Sequence, residues 1–153
     1  MNIFVTVGTT SFPSLIDAAL VLASKPDISL RIQDPDFDET RNASCLVKNF
    51  FSDVVEQYSW ADLVVTHAGA GSVYKCLEMR KKIIVVPNFE RADRHQNELA
   101  QYVHDNNYGA VLWGVDNLES VVDNIFSCSF AMYVKTDFFV KDELVKIINH
   151  SMQ

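Results

Sequence analysis

The chain has 153 residues, 48% of them hydrophobic and 22% charged, which suffices for one compact domain with a substantial core and excludes a disordered chain. Its formal net charge of −7 disfavours nucleic acid and other phosphate polymers as partners, so any anionic ligand needs a local binding device. The three cysteines are irregularly spaced, which predicts buried free thiols and excludes a disulfide framework or a C-x-x-C zinc site.

Short apolar runs alternate with helical patterns along the first half of the chain. The run Ile3–Val7 predicts a strand that is buried on both faces. Pro13 and apolar residues at helical spacing predict the first helix, for which Thr10 and Ser11 are possible caps. The next predicted elements are a strand at 28–32, a mobile acidic loop at 33–44, a strand at 45–49 and a helix from Ser52 through Tyr58.

The second half continues the same alternation. Its predicted elements are a strand at 62–66, a helix that opens at Gly71 and Ser72, a strand at 83–87, a helix at 94–106 and a strand at 110–113. Asp116 and Glu119 then have the spacing of a capping box for a further helix. The segment 130–140 has no clear pattern, and a last helix is predicted at 141–150. Trp60 and Trp113 lie beside strands and are expected in the core.

Strands and helices that alternate at this rhythm predict βαβ units, a mainly parallel sheet and an α/β fold. Right-handed crossovers favour a doubly wound, Rossmann-like arrangement, with one domain over residues 1–153. Ligands of such sheets bind at the carboxyl ends of the strands. Polar residues directly after the predicted strands are therefore the candidates for function.

The first cluster of this kind is Thr66–Ser72, between a strand and a helix. Gly69 and Gly71 let the backbone approach a ligand closely, and the helix start offers unpaired N–H groups and the positive end of a dipole. This is the local anion site that a negative chain requires, with His67 as a donor to a diphosphate and Ser72 as a helix cap or a phosphate ligand. The alternative is a tight turn that only packs the helix on the strand.

Two further clusters follow later strands. Asn88 comes after Pro87 at a strand end, where it is either part of a pocket floor or a turn residue. Arg94, His95 and Gln96 form a run of hydrogen-bond donors at the start of a helix, and such groups suit sugar hydroxyls and phosphate. No paired carboxylates, Ser-His-Asp arrangement or G-x-G-x-x-G sequence indicates glycosidase, hydrolase or dinucleotide chemistry.

The three clusters together resemble the C-terminal, donor-binding half of glycosyltransferase family 28. The resemblance is carried by the segments Tyr58–Ser72, Ile83–Asn88, Asp93–Ala100 and, at the start, Ile3–Thr10. It covers residues 1–115 and leaves 116–153 as a helical C-terminal extension. Within the family, the chain is similar to the short cytosolic subunits of two-component transferases, which serve bacterial capsule or exopolysaccharide synthesis and the second N-acetylglucosamine transfer on dolichol.

The resemblance implies one half of a GT-B enzyme that binds a UDP-sugar and uses neither a metal nor a cofactor. It assigns catalysis to His67. It assigns the donor diphosphate to His67, Gly69, Ala70, Gly71 and Ser72. It assigns the donor sugar to His95 and Gln96, beside which Arg94 is a further candidate from the same run of donors. Lys75 and Asn88 are the candidates for the nucleoside region.

Lys75 departs from the family pattern. Relatives generally carry a glutamate at this position, three residues after the serine, where it holds the ribose hydroxyls. A lysine cannot accept hydrogen bonds, so Lys75 is expected to favour phosphate or solvent instead.

The resemblance further implies a function that requires two chains. The expected reaction is an inverting, metal-independent transfer of a sugar from UDP to a lipid-linked polysaccharide precursor, with the acceptor site and general base on a membrane-anchored partner. Because the chain has no long apolar run and no leader peptide, it is expected in the cytoplasm, recruited to the inner face of the membrane by that partner. The competing hypothesis, which Lys75 favours, is a non-catalytic enhancer that stabilises a catalytic transferase. A sugar-nucleotide epimerase would need a second domain in the same chain.

Overall fold

The computed structural model describes residues 1–38, 44–90 and 95–135. Over these residues, six strands and five α-helices alternate as the sequence predicts. The strands are β1 (Asn2–Thr6), β2 (Ser29–Gln33), β3 (Leu46–Lys48), β4 (Leu63–His67), β5 (Lys82–Val86) and β6 (Ala110–Val111). The helices are α1 (Pro13–Leu22), α2 (Val54–Trp60), α3 (Ala70–Glu78), α4 (His95–Asp105) and α5 (Leu118–Asn124), with a short 3-10 helix, Ile125–Ser127, after α5.

All six strands are parallel and lie in one sheet in the order β3-β2-β1-β4-β5-β6. The predicted α/β fold with a doubly wound, Rossmann-like sheet is therefore confirmed. β1 and β4 are neighbours, with Thr6 opposite Thr66, because the chain returns to the centre of the sheet after β3. This pair is the topological switch point, where loops leave in opposite directions and open a crevice at the carboxyl ends of the strands.

Helices cover both faces of the sheet because alternate side chains of the central strands enter two separate cores. Ile3 and Val5 pack into the core that also contains α1 and α5, whereas Phe4 packs into the core with α2, α3 and α4. The central strands therefore read as continuous apolar runs in the sequence. Their fixed register positions the ends of β1, β4 and β5, from which the loops of the candidate site emerge.

The acidic segment after β2, predicted as a loop, forms a turn over its described residues 34–38. The N–H group of Phe37 donates to the carbonyl of Asp34 over 3.1 Å. The side-chain amide of Asn49 donates to the carbonyls of Asp34, Pro35 and Phe37. Because Asn49 directly follows β3, this turn is tied to the edge of the sheet.

Two predicted helix caps are wrong. α1 has Pro13 at its start as predicted, but its N-cap is Phe12, which makes no side-chain cap. The N-cap of α5 is Asn117, again without a side-chain cap, so Asp116 and Glu119 do not form a capping box. Asn117 has φ −105° and ψ 11° rather than the extended conformation that aims a cap side chain at the helix amides.

Two residues that were predicted to be buried lie at the surface. Trp113 is 44% exposed because β6 already ends at Val111. Cys128 is exposed after the 3-10 helix, whereas Cys76 is buried as predicted and burial raises its pKa to about 12. Cys45 is intermediate in exposure. The predicted helix at 141–150 lies outside the described residues.

Candidate functional site

His67, the last residue of β4, lies between two glycines at the switch point. A Cβ atom built on Gly8 would lie 2.7 Å from Cε1 of His67, and one built on Gly69 would lie 2.4 Å from Nε2. Neither position admits a side chain while the imidazole stays in place. The two glycines therefore form a slot for the ring, and Gly69 serves first to admit His67 rather than a ligand.

The turn that contains Gly8 is held by polar neighbours. Gly8 has φ +67°, a conformation that costs glycine little. Its N–H group donates to Oγ1 of Thr6 over 3.2 Å, and its carbonyl accepts from Nε2 of the buried Gln33 over 3.3 Å. The sequence prediction gave Gly8 no role, although a glycine that directly follows a central parallel strand was the available signal.

The surroundings of His67 favour a neutral imidazole in the free protein. Burial lowers the pKa of His67 from its ordinary value of 6.5, and the nearby backbone of Thr6 opposes this effect only in part. Nδ1 of the ring is buried and has no hydrogen-bond partner of good geometry among the described residues. The backbone of Thr6 lies close enough to the ring to act on its pKa, so Nδ1 faces the protein interior rather than the solvent.

The start of α3 presents unpaired amide groups beside the imidazole slot. Gly69 is the N-cap, and the N–H group of Val73 donates to its carbonyl over 3.0 Å. The N–H groups of Ala70, Gly71 and Ser72 precede this bond and have no partner within the helix. They carry the positive end of the helix dipole, so this edge of the sheet attracts an anion.

Ser72 does not cap α3, which corrects one of its two predicted roles. Because the helix begins at Ala70, Gly69 already occupies the cap position and Ser72 lies in the first turn. The hydroxyl of Tyr58, a buried residue of α2, donates to Oγ of Ser72 over 3.0 Å. The Ser72 side chain thus ties α3 to α2, while its backbone N–H group stays directed out of the helix start.

The imidazole slot and the start of α3 form one wall of a cleft of about 590 Å³, called here the His67 cleft. Its described lining residues are Thr10, His67, Ala68, Gly69, Ala70, Tyr74, His95, Gln96, Glu98, Leu99 and Tyr102. The opposite wall is α4, whose residues His95, Leu99 and Tyr102 share one face because they are four and seven positions apart. The structure therefore brings His67, Gly69 and Ala70 of the predicted diphosphate cluster together with His95 and Gln96 of the predicted sugar cluster, whereas Gly71 and Ser72 do not belong to this lining.

Asn88 and Gln96 join the loop after β5 to the start of α4. The N–H group of Asn88 donates to Oε1 of Gln96 over 3.0 Å. The Asn88 side chain donates to the carbonyl of Ser11 and accepts from the N–H group of Glu90. Asn88 was predicted to be either part of a pocket floor or a turn residue. Because it is only 2% exposed and its side chain is engaged in these two bonds, it is the turn residue. The amide nitrogen of Gln96 makes no hydrogen bond within the described part of the chain.

The other predicted contacts are not all in the cleft. His95 lies at the mouth, with Nδ1 3.6 Å from Oε2 of Glu98. Lys75 is half-buried on α3 but is absent from the cleft lining described above. Arg94 lies outside the described residues. Tyr74 and Tyr102, for which no role was predicted, do line the cleft.

A second cavity of similar size, about 610 Å³, lies between α1 and the turn after β2. Its lining includes four carboxylates: Asp17, Asp34, Asp36 and Asp38. Burial raises the pKa of Asp34, and the negative charges of Asp36 and Asp17 raise it further. These charges repel a phosphate, so the His67 cleft is the better anion site.

Comparison with known proteins places the chain in a family. Residues 2–130 match the model of the glycosyltransferase family 28 C-terminal domain. The chain is 35% identical over 118 residues to the UDP-N-acetylglucosamine transferase subunit ALG13 of Homo sapiens, a match that covers 67% of this chain and 10% of that protein. It is 32% identical over 77 residues to the UDP-N-acetylglucosamine–N-acetylmuramyl-(pentapeptide) pyrophosphoryl-undecaprenol N-acetylglucosamine transferase of Phocaeicola vulgatus, covering 50% of this chain and 20% of that protein. The chain thus spans a minor part of these relatives.

Solved structures agree on the fold. The crystal structure of Acinetobacter baumannii MurG superposes with a TM-score of 0.64 at 19% identity, over 82% of this chain and 41% of that one. The sheet and its helices therefore form a domain of the GT-B type.

The family match runs past residue 115 and includes α5, which shares a core with α1. Among the described residues, every helix is too short or too polar to cross a bilayer.

Proposed function

The chain belongs to the glycosyltransferase family 28 C-terminal domain family, and from this premise we propose that it binds the UDP-sugar donor of a two-chain glycosyltransferase. The proposed reaction transfers the sugar to a lipid-linked polysaccharide precursor, with inversion and without a metal. The observation that carries the proposal is the His67 cleft, where the unpaired amides of α3 and the imidazole of His67 lie side by side. The names of the two relatives support a UDP-N-acetylglucosamine type of donor.

The diphosphate is proposed to bind at the start of α3. In the reaction, an acceptor oxygen bonds to the anomeric carbon, the bond from that carbon to the β-phosphate oxygen breaks, and UDP leaves with the electron pair. The amides of Ala70, Gly71 and Ser72 and the imidazole of His67 would stabilise the charge that develops on the leaving oxygen. Preorganised donors in a water-poor site contribute about 3–4 kcal/mol each to such a step.

The sugar is proposed to lie towards α4, where Gln96 and His95 line the opposite wall and Arg94 is expected nearby. Oε1 of Gln96 is already engaged by the backbone of Asn88, so its free amide nitrogen is the group that would donate to a sugar hydroxyl. Asn88 contributes to the nucleoside region by holding this loop in place rather than by contact. Lys75 keeps its proposed place near the nucleoside, where an ammonium group favours phosphate oxygens.

A second chain is proposed to complete the site. The described lining of the cleft belongs to one sheet edge, and its only carboxylate, Glu98, is near His95 at the mouth. The acceptor site and the general base are therefore assigned to a membrane-anchored partner, which would recruit this chain to the cytoplasmic face of the membrane. The term subunit in the name of the human relative supports this arrangement.

Calorimetry with UDP and UDP-N-acetylglucosamine, together with transfer assays on the assembled pair, tests the proposal. His67→Ala is expected to fold, to weaken nucleotide binding at least tenfold and to lower turnover about 100-fold, because it removes one donor to the leaving group. His104→Ala is the matched control, since His104 is an exposed histidine of α4 that does not line the cleft. Its binding and turnover should equal those of the wild type.

Two results would contradict the proposal. Wild-type turnover by His67→Ala would remove the role assigned to the imidazole. If the assembled pair binds no uridine nucleotide through this chain while the partner is active alone, the chain is a non-catalytic enhancer instead.

A further inference from the structure

Four tyrosines beside α3 and α4, called here the tyrosine strip, form a closed cluster in which each ring contacts two of the others. Its members are Tyr74, Tyr102, Tyr108 and Tyr133, whose neighbouring ring centroids are 5.4 to 6.4 Å apart. These separations are typical of aromatic contacts. Tyr74 and Tyr102 line the His67 cleft, and the other two rings lie behind them, away from it.

The cleft-facing rings are additional to the hydrophobic core. α3 buries Val73, Cys76 and Leu77, and α4 buries Ala100 and Val103, against the same face of the sheet. Tyr102 is 38% exposed and Tyr74 is only partly buried. The core is therefore closed without these two rings, and an aromatic surface that stays open at a cleft wall is a typical feature of a ligand site.

The rear of the strip is fixed in place. Tyr133 contacts Tyr108 edge to face, with ring planes at 90°. Beside it, Lys135 forms an ion pair with Glu78 of α3 over 2.9 Å, and the N–H group of Ala131 donates to the carbonyl of Asn107 over 2.7 Å. Tyr74 lies between Tyr102 and this anchored ring, so its aromatic face is held in position before any ligand arrives.

The helix spacing places the strip next to the anion site. Tyr74 comes four residues after Ala70, so it lies on the same face of α3, about 6 Å further along the axis. A group bonded to a phosphate at the start of α3 therefore reaches the ring of Tyr74. The polar groups of His95 and Gln96 border the same space.

We propose that Tyr74 and Tyr102 form a stacking wall for the hexose ring of the donor, a contact that sets preference for the sugar. This inference rests on the proposed function, since it needs the diphosphate at the start of α3. A pyranose has C–H groups on its faces and hydroxyls on its rim. Because the planes of the two rings are tilted by 54°, the sugar face can stack on one ring and the sugar edge can contact the other, while its rim meets Gln96 and His95.

The test compares UDP with UDP-N-acetylglucosamine and UDP-glucose as calorimetric titrants of the full chain. Wild-type protein is expected to bind the sugar nucleotides more tightly than UDP. Tyr74→Leu and Tyr102→Leu should each weaken sugar-nucleotide binding roughly fivefold and leave UDP binding unchanged, whereas the Phe variants, which keep the ring, should bind like the wild type. Phe126→Leu is the matched control, because it removes an exposed aromatic ring outside the cleft.

The outcomes separate this inference from the function on which it rests. Equal losses for UDP and the sugar nucleotides would place the rings against the nucleoside and overturn the proposal. Unchanged binding of all three nucleotides in the Leu variants would make the strip purely structural. Wild-type protein that binds none of them, alone or with its partner, would overturn the proposed function itself, and the stacking wall with it.

Discussion

At the scale of single residues, the slot around His67 depends on the absence of two side chains. Gly69→Ala should displace the imidazole, because the new Cβ would meet Nε2 at 2.4 Å, and it should cost roughly 1–3 kcal/mol in unfolding free energy. Gly71→Ala is the matched control, since its Cβ meets nothing within 4 Å and an alanine inside α3 should be neutral or stabilising. Urea unfolding measures the change in unfolding free energy, and the chemical shift of the Cε1–H resonance of His67 reports the displacement of the imidazole. An unshifted resonance in Gly69→Ala would contradict the slot.

The pH response of His67 is a second prediction at this scale. Because burial lowers its pKa in the folded chain, His67 contributes stability that is present above the unfolded value of about 6.5 and is lost as the pH falls through the folded value. A diphosphate beside the ring favours the protonated form, so adding UDP should raise the pKa. NMR titration of His67 with and without UDP measures the pKa of the imidazole in the free protein and its change when UDP binds. A pKa that UDP leaves unchanged would show that the nucleotide binds away from the imidazole.

How far the sequence predicts these residues depends on how local the signal is. The sequence-predicted cluster from His67 to Ser72 does lie together at one helix start, since glycines between a strand and a helix act locally. The position of Gly8 after the first strand was a signal in the sequence, but its partner His67 could not be predicted, because that residue lies on a distant strand that only the sheet order brings alongside. The contact of Ser72 with Tyr58 was missed for the same reason.

At the scale of elements, one buried hydrogen bond ties the loop after β5 to α4. Gln96→Leu should destabilise the fold by about 1–3 kcal/mol, because it leaves the buried N–H group of Asn88 without an acceptor. Gln101→Leu, an exposed change on the same helix, should stay within about 0.5 kcal/mol of the wild type. Chemical denaturation of both variants gives the comparison. Equal stabilities would mean that water replaces the lost acceptor.

The elements themselves follow from hydrophobic periodicity, which is why their order was predictable. Strands such as β4 and β5 are buried on both faces and leave unbroken apolar runs. Helix starts were less predictable, because a cap depends on the backbone conformation of one residue. Asn117 shows this, since its torsion angles leave a plausible capping sequence unused.

At the scale of the whole molecule, the proposed anion site has to act against the overall charge. The chain has a formal net charge of −7, and the described lining of the His67 cleft contains neither lysine nor arginine. If the proposed function holds, the attraction for a diphosphate must come from short-range contacts with helix amides and an imidazole. Such contacts act only where the ligand is seated, which favours a ligand whose shape fits the cleft over other phosphates.

This balance predicts an unusual salt dependence of nucleotide binding. Salt screens the long-range repulsion between the acidic chain and UDP over about 8–10 Å, but it hardly weakens amide contacts at the helix start. Between about 20 and 200 mM salt, where the screening length shortens several-fold, UDP affinity should stay constant or rise. Calorimetry at several salt concentrations in that range measures the UDP affinity of the wild type and of Arg94→Ala, which lacks a cationic side chain expected near the cleft. A tenfold fall in wild-type affinity that Arg94→Ala abolishes would show that a cationic side chain, rather than the backbone of α3, holds the diphosphate.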